Sequence, residues 1–392
     1  MKPANPVFAS LGTTIFTVMS ALANEHGAIN LGQGFPDDEG PADIREAAAK
    51  AILDGPNQYP PMMGLPALRE AVGEANRRFY GLDVDWQKEV MVTSGATEAL
   101  HDSITALLQP GDEAILIEPC YDSYRPVIEA AGATVKAVSL QPPHWSLPVE
   151  ALEAAFSDRT KLIVLNTPMN PIGKVFTREE LTAIAGLLEK YDAYAVCDEV
   201  YEHLVFSGHE HIPLMTLPGM RERCVRIGSA GKTFSLTGWK IGYVTAPAAL
   251  MEVIAKTHQF VTFTTAPGLQ SAIAYGLGKD DDYFAGLAGA LEAKRDILSK
   301  GLAEAGFEVL PADGTYFVTA DFRPLGFNGT DEEFCRAITE QAKVAAVPMS
   351  AFYSNDSGDA PTHLARFCFC KQDGILTEAS KRLADWAKAR AA

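Results

Sequence analysis

Lys232 stands in Arg226-Ile-Gly-Ser-Ala-Gly-Lys-Thr-Phe-Ser-Leu-Thr-Gly-Trp-Lys240, a primary amine just after a short apolar run. Gly-Lys-Thr invites comparison with a nucleotide phosphate loop. That loop needs a further glycine five residues before the one preceding the lysine, so that the backbone amides between them can wrap a phosphate. The residue there is Arg226, so the spacing excludes the loop and leaves the lysine free for other chemistry. Further reactive side chains recur at the ends of short apolar runs. Ser94-Gly95-Ala96-Thr97 follows one, and Tyr121 lies just beyond another. Asn166-Thr-Pro-Met-Asn170, Asp198-Glu-Val-Tyr201 and Ser229-Ala-Gly-Lys232 follow three more.

The elements that must position these residues alternate. Short β-rich runs are expected at Val90–Thr93, Ala114–Ile117, Thr134–Leu140, Leu162–Leu165, Ala193–Cys197, Val225–Ile227 and Gly242–Thr245. Helical stretches fall at Ile44–Leu53, Pro66–Phe79, Thr97–Leu108 and Arg178–Tyr191. Such alternation predicts an α/β fold with a mainly parallel sheet. After about residue 280 come a long helix through Ala303, strands near Tyr316–Ala320 and Leu364–Phe369, and a last helix over Gly374–Arg390. The expected organisation is a large domain over residues 46–280. Residues 1–45 and 281–392 then form an N-terminal arm and a smaller α+β domain.

In open α/β sheets ligands sit beyond the carboxyl ends of the strands. Glycines, an aromatic ring, an amide, a carboxylate, a phenol and a lysine would therefore meet at one edge. Gly95, Ala96 and Thr97 open a helix, where free backbone amides and the helix dipole favour a phosphate. Ser229 and Lys240 could add a hydroxyl and a cation to the same anion. No Gly-x-Gly-x-x-Gly follows the first strand, so a dinucleotide is not expected. The set suits a flat aromatic cofactor with a single phosphate.

Ser229-Ala-Gly-Lys232 with Lys240, Asn170-Pro-Ile-Gly, Asp198-Glu-Val-Tyr201, Leu31-Gly-Gln-Gly-Phe-Pro-Asp and Ala365-Arg366-Phe-Cys-Phe369 together resemble the class I/II aminotransferases. These are fold type I enzymes of pyridoxal 5'-phosphate, and the likeness runs over nearly the whole chain. It leans toward the kynurenine, glutamine and methionine aminotransferase branch. The resemblance implies that Lys232 holds the cofactor aldehyde as a Schiff base and that Asp198 pairs with its ring nitrogen. Asn170 and Tyr201 would bond its phenolic oxygen, and Tyr121 would stack on the ring. Ser229, Lys240 and the amides of Gly95, Ala96 and Thr97 would take the phosphate. Arg366 would clamp the substrate carboxylate, with Gly34 and Asn170 beside it and Phe16 nearby. Tyr59 and Phe263 would enter from a neighbouring subunit, making the unit a homodimer. Many relatives have Asn-Asn-Pro where this chain has Met169-Asn170-Pro171; the asparagine next to proline is retained.

The substrates implied are an amino acid and a 2-oxo acid. An apolar pocket of Phe16, Tyr59, Tyr121 and Phe263 favours methionine, glutamine or aromatic amino acids and kynurenine. A β-lyase acting on cysteine conjugates and an aminotransferase for a succinylated diamino acid are the alternatives on this scaffold. A non-enzymatic regulator would lack the lysine or carry a DNA-binding appendage. The formal net charge of −17 argues against nucleic acid and anionic membranes. No run of roughly 18 apolar residues is evident, nor a cleavable leader. Six scattered cysteines without Cys-x-x-Cys spacing read as free thiols in the cytoplasm. Cys368 and Cys370 should point the same way. His209-Glu-His211 reads as a solvated loop, and no metal site is expected.

Overall fold

A computed structural model describes residues 2–354 and 358–391. β1 (Ile29–Asn30) precedes the large sheet. That sheet is built from β2 (Val90–Ser94), β3 (Glu113–Glu118), β4 (Thr134–Ser139), β5 (Thr160–Asn166), β6 (Tyr194–Asp198), β7 (Cys224–Ser229) and β8 (Ile241–Thr245). Its strand order is β2-β8-β7-β6-β5-β3-β4. The strands β7, β6, β5, β3 and β4 run parallel. β8 runs antiparallel to both of its neighbours, β2 and β7. β2 therefore points the same way as the parallel set. Its carboxyl end, and the residues that lead into β8, reach the edge where the other strands finish.

The inner parallel strands β3, β5, β6 and β7 are buried on both faces, as strands covered by helices on each side must be, while the edge strand β4 is only partly covered. Ile163, Leu165, Ala195 and Cys197 face the helix Arg178–Lys190 through Leu181, Ile184 and Leu188. The alternate residues Leu162, Val164, Val196 and Ile227 face the helices Gly95–Leu107 and Ala248–Val261. The former helix begins two residues before its expected start, on Gly95 at φ 71°.

A four-stranded sheet of order β12-β13-β10-β9 lies further along the chain. It contains β9 (Glu308–Val309), β10 (Phe317–Asp321), β12 (Val347–Pro348) and β13 (Leu364–Cys368). The N-terminal segment joins it: β1 pairs in parallel with β11 (Val344–Ala345), and Met19 and Leu31 enter the same apolar cluster as Phe317, Phe367 and Trp386. Residues 6–26 are more apolar than the sequence reading allowed, with a mean hydropathy of 1.5 over an eighteen-residue window. They divide into two helices, Pro6–Ser10 and Ile15–His26. The longer has 12 residues, about 18 Å at 1.5 Å per residue, against the ~30 Å of a bilayer core.

Behind the β6 end lies a buried ion cluster. Arg226 Nε and Nη2 bond Glu199 and Glu202, and its Nη1 donates to Asn76 Oδ1 at 2.8 Å. Tyr80 donates to Glu202 at 2.7 Å and lies 4.4 Å beneath the guanidinium. His211 Nε2 is 2.9 Å from Glu199 Oε2 and is buried. That corrects the solvated-loop reading, which holds only for the half-exposed His209. Burial would raise the Glu202 carboxyl, but the Arg226 charge outweighs it and holds the group down at about 2. Arg226→Leu is expected to lower the urea unfolding free energy by about 3–5 kcal/mol, because two buried carboxylates lose their counter-charge. Lys50→Ala, which removes an exposed pair with Asp54, should leave it unchanged within the error of the titration.

Candidate active site

A cavity of about 410 Å³ opens at the carboxyl edge of the large sheet. Most of the expected residues line it: Phe16, Gly34, Gly95, Ala96, Thr97, Tyr121, Asn170, Asp198, Tyr201, Ser229, Lys232, Lys240 and Arg366. They arrive from five strand ends, the N-terminal segment and β13. Two expected residues stay outside. Tyr59 is 84 % exposed and Phe263 is 38 % exposed, and their rings meet edge to face at 5.7 Å.

Asp198 ends β6 and is buried. Tyr124 Oη donates to its Oδ2 at 2.6 Å, leaving Oδ1 with only a long contact to the Val200 amide at 3.4 Å. Burial pushes the carboxyl up, and the Tyr124 hydroxyl and nearby Lys232 charge work against that rise. Tyr124 was not foreseen. It lies three residues after Tyr121 in the helix Tyr124–Ala130, and nothing local to its sequence points to Asp198.

A line of hydrogen bonds runs from this strand end to β13. Asn166 Nδ2 donates to the Asp198 carbonyl at 2.8 Å, and the Asn170 amide donates to Asn166 Oδ1 at 2.8 Å. Arg366 Nη1 then donates to Asn170 Oδ1 at 2.9 Å, and Nη2 to the Gly32 carbonyl at 2.6 Å. The guanidinium is packed among the rings of Phe317, Phe352 and Phe16 at 4.0, 4.9 and 5.3 Å. Burial pushes its pKa down to about 10, and Nε is buried without a partner. A desolvated cation with a spare donor is a receptor for an anion. Gly34 has no room for a side chain, since a Cβ would lie 2.5 Å from the Phe317 ring.

The arrangement of the expected phosphate cradle follows from strand direction. β8 runs backwards, so Lys240, just before it, reaches the first turn of the helix Gly95–Leu107. A Cβ on Gly95 would lie 3.2 Å from Lys240 Nζ, and one on Gly242 would meet the Gly95 backbone at 2.5 Å. Lys240 takes a left-handed backbone, φ 54°, as the cap of the short 3-10 turn Thr237–Trp239.

The residues present fit pyridoxal phosphate. The cavity is lined by a helix start with a cation beside it, a buried carboxylate with one oxygen in only a long contact, an amine, and an arginine whose Nε has no partner. The match to known proteins agrees. Residues 26–383 match the family model for aminotransferase class I and II. The chain is a class I and II aminotransferase. It is 45 % identical over 379 residues to a probable N-succinyldiaminopimelate aminotransferase of Mycobacterium tuberculosis, covering 95 % of each chain. It is 43 % identical over 373 residues to the methionine aminotransferase of Escherichia coli, covering 95 % of this chain and 96 % of that one. A solved Escherichia coli structure assigned a methionine aminotransferase function superposes with a TM-score of 0.94 at 42 % identity, over 98 % of this chain and all of that one. The aminotransferase thus has the fold type I architecture expected of it, and its class depends on pyridoxal phosphate.

One cluster behind the cradle was not foreseen. Among the described residues, Glu98, Asp102 and His258 come close enough to share a cation. His258 Nε2 faces the Met62 carbonyl at 3.1 Å, and Nδ1 faces Glu98 at 3.0 Å and Asp102 at 3.5 Å. Both ring nitrogens meet only acceptors, so both carry protons and the imidazolium is itself the cation. Burial opposes that charge, but the Asp102 and Glu98 carboxylates overcome it and push the pKa up to about 9. A raised folded-state pKa stabilises fully below the unfolded value of 6.5 and loses that stabilisation as pH rises through about 9. The difference in unfolding free energy between the native protein and His258→Gln should therefore be largest near neutrality and below. It should shrink by on the order of 3 kcal/mol on going to pH 10, as read from urea titrations across that range.

Proposed function

We propose that this aminotransferase acts on amino acids with an uncharged, apolar or aromatic side chain: methionine, glutamine, or the aromatic and kynurenine type. One observation carries the reading. The cationic side chains lining the cavity are Lys232, Lys240 and Arg366, and each has a place before any side-chain carboxylate arrives. The remaining wall offers Phe16, Phe35, Tyr121 and Phe317. A distal carboxylate desolvated against those rings would be costly. The 45 % identity to a relative named for N-succinyldiaminopimelate favours a second reading, a succinylated diamino acid.

In this reading Lys232 is the attachment point of the cofactor. Bound there, pyridoxal phosphate supplies an aldehyde that condenses with amines and a protonated ring that accepts the electron pair left at Cα. Asp198 would hold the proton on the ring nitrogen. Asn170 and Tyr201 would bond the ring oxygen, and Tyr121 would cover the ring. Ser229, Lys240 and the amides of Gly95, Ala96 and Thr97 would hold the phosphate. Arg366 takes the substrate carboxylate in a two-bond fork, with Asn170 and Gly34 alongside, so that Cα–H faces Lys232. Burial lowers the pKa of Lys232, which increases its neutral fraction and suits it to take and return that proton.

Tyr59 and Phe263 complete the site of a second copy. Their support is an exposed apolar surface with Phe260, 85 % exposed, and Val261, 52 % exposed, of a kind that marks interaction sites. Six buried free cysteines support a reducing, cytoplasmic setting.

The holoprotein should lose its visible cofactor absorbance on adding methionine or an aromatic amino acid without any 2-oxo acid, and regain it when a 2-oxo acid follows. Bleaching by N-succinyldiaminopimelate at lower concentration than by methionine would favour the second reading. A persistent band while a cysteine conjugate yields pyruvate and ammonia would mark a β-lyase instead.

A further inference from the structure

Lys232 stands between two cavities. Behind it, away from the main one, lies a smaller cavity of about 150 Å³ walled by Lys232, Tyr316, Ser235 and Cys370, with Leu291 and Lys371 further back. Tyr316 closes this side. Its ring is 1 % exposed and meets the Tyr201 ring edge to face at 5.1 Å. Lys232 Nζ lies 5.3 Å from the centre of the Tyr316 ring and 5.5 Å from that of Tyr201.

The contact lengths set the direction of the hydrogen bonds here. Tyr316 Oη donates to the Gly34 carbonyl at 2.7 Å, a carbonyl can only accept, and Lys232 Nζ reaches that same carbonyl only at 3.4 Å. The one phenolic proton is thereby committed, so toward Lys232 Nζ, 2.6 Å away, the oxygen can only accept. A neutral lysine amine bonded in this sense donates through one N–H and keeps its lone pair. Had the phenol donated to the amine, that lone pair would be blocked. The backbone before the tyrosine is built to hold this arrangement. Thr315 has φ 67°, an outlier for a β-branched residue. Its amide is tied to the Leu204 carbonyl at 2.8 Å, and its hydroxyl accepts from the Phe317 amide at 3.2 Å.

We propose that Tyr316 is a positioning residue for amino-group transfer: it holds the Lys232 amine by one of its hydrogens whenever that amine is free, and keeps its lone pair turned toward the main cavity. The ring also bars the side chain from swinging into the smaller cavity. The amine must be free twice in each turnover, once the substrate amine has displaced it, and it must then stay close enough to Cα to move a proton. This inference rests on the reading of Lys232 as the attachment point.

Tyr316→Phe removes the acceptor and keeps the ring. The readout is the rate at which the apoprotein rebinds pyridoxal phosphate, followed against pH, because only the neutral amine attacks the aldehyde. An acceptor stabilises the ammonium form, so its loss should lower the pH midpoint of rebinding by about one unit. An amine no longer held should also lower the high-pH plateau about tenfold. Far-UV circular dichroism and the thermal midpoint establish that the variant folds; if it does not, Tyr316→Met carries the same test with the same expected direction. Borohydride reduction followed by peptide mapping locates the attachment in both proteins. Cofactor on Lys232 with the shifted profile supports the inference. Cofactor on Lys232 with an unchanged profile overturns it and leaves the attachment point standing. Cofactor on another lysine overturns the reading beneath both.

Discussion

The turn that closes β6 must serve two environments at once. Asp198 and Tyr201 enter the cavity, while Glu199 and Glu202, one residue on from each, reach Arg226 behind the sheet. A carboxylate buried at the centre of the cavity is unfavourable unless its position is imposed, because burial drives it toward its neutral form. Here the imposing contacts lie on both faces. Tyr124 holds one oxygen from the front, and the arginine with its two carboxylates pins the following residues from behind. The ion cluster therefore lies outside the cavity, yet it sets where the Asp198 carboxylate stands.

From that turn the site extends through hydrogen bonds rather than through one element. Asn166 and Asn170 link the Asp198 backbone to Arg366 on β13, so the buried guanidinium is registered against the buried carboxylate. The reversed strand β8 adds the third fixed point by delivering Lys240 to the helix that starts at Gly95. The N-terminal segment supplies Gly34 and Phe16. Small shifts between the two sheets would alter the distance from arginine to lysine, and with it the approach of Cα to the amine.

The strand-end residues were legible because each belongs to a local pattern: an apolar run, then a glycine or polar turn. Their convergence followed from the rule that parallel strands finish at one edge. Side chains that act across long sequence separations were not legible. Tyr124 reaches Asp198, Tyr316 reaches Lys232, and His258 reaches Glu98 and Met62; in each case a single aromatic or imidazole residue reads as ordinary core. His211 looked like a loop histidine because its neighbours are polar, and it is buried against Glu199 and the Tyr80 ring. Lys240 lines the cavity with the others, but for a reason the periodicity does not contain, the reversal of β8. Tyr59 and Phe263 show the limit of one chain, since their rings lie on the outside of it.

The most direct measurement is the single-turnover rate of Asp198→Asn with its preferred amino acid, alongside its cofactor content and absorbance. If Asp198 works by holding a proton on the ring nitrogen, the variant should retain cofactor on the lysine while amino-group transfer slows by at least about 10²-fold, the scale expected when one preorganised electrostatic partner is removed from a water-excluded site. Transfer within a few-fold of the native rate, with cofactor bound, would contradict that role and leave Asp198 a structural residue at the end of its strand.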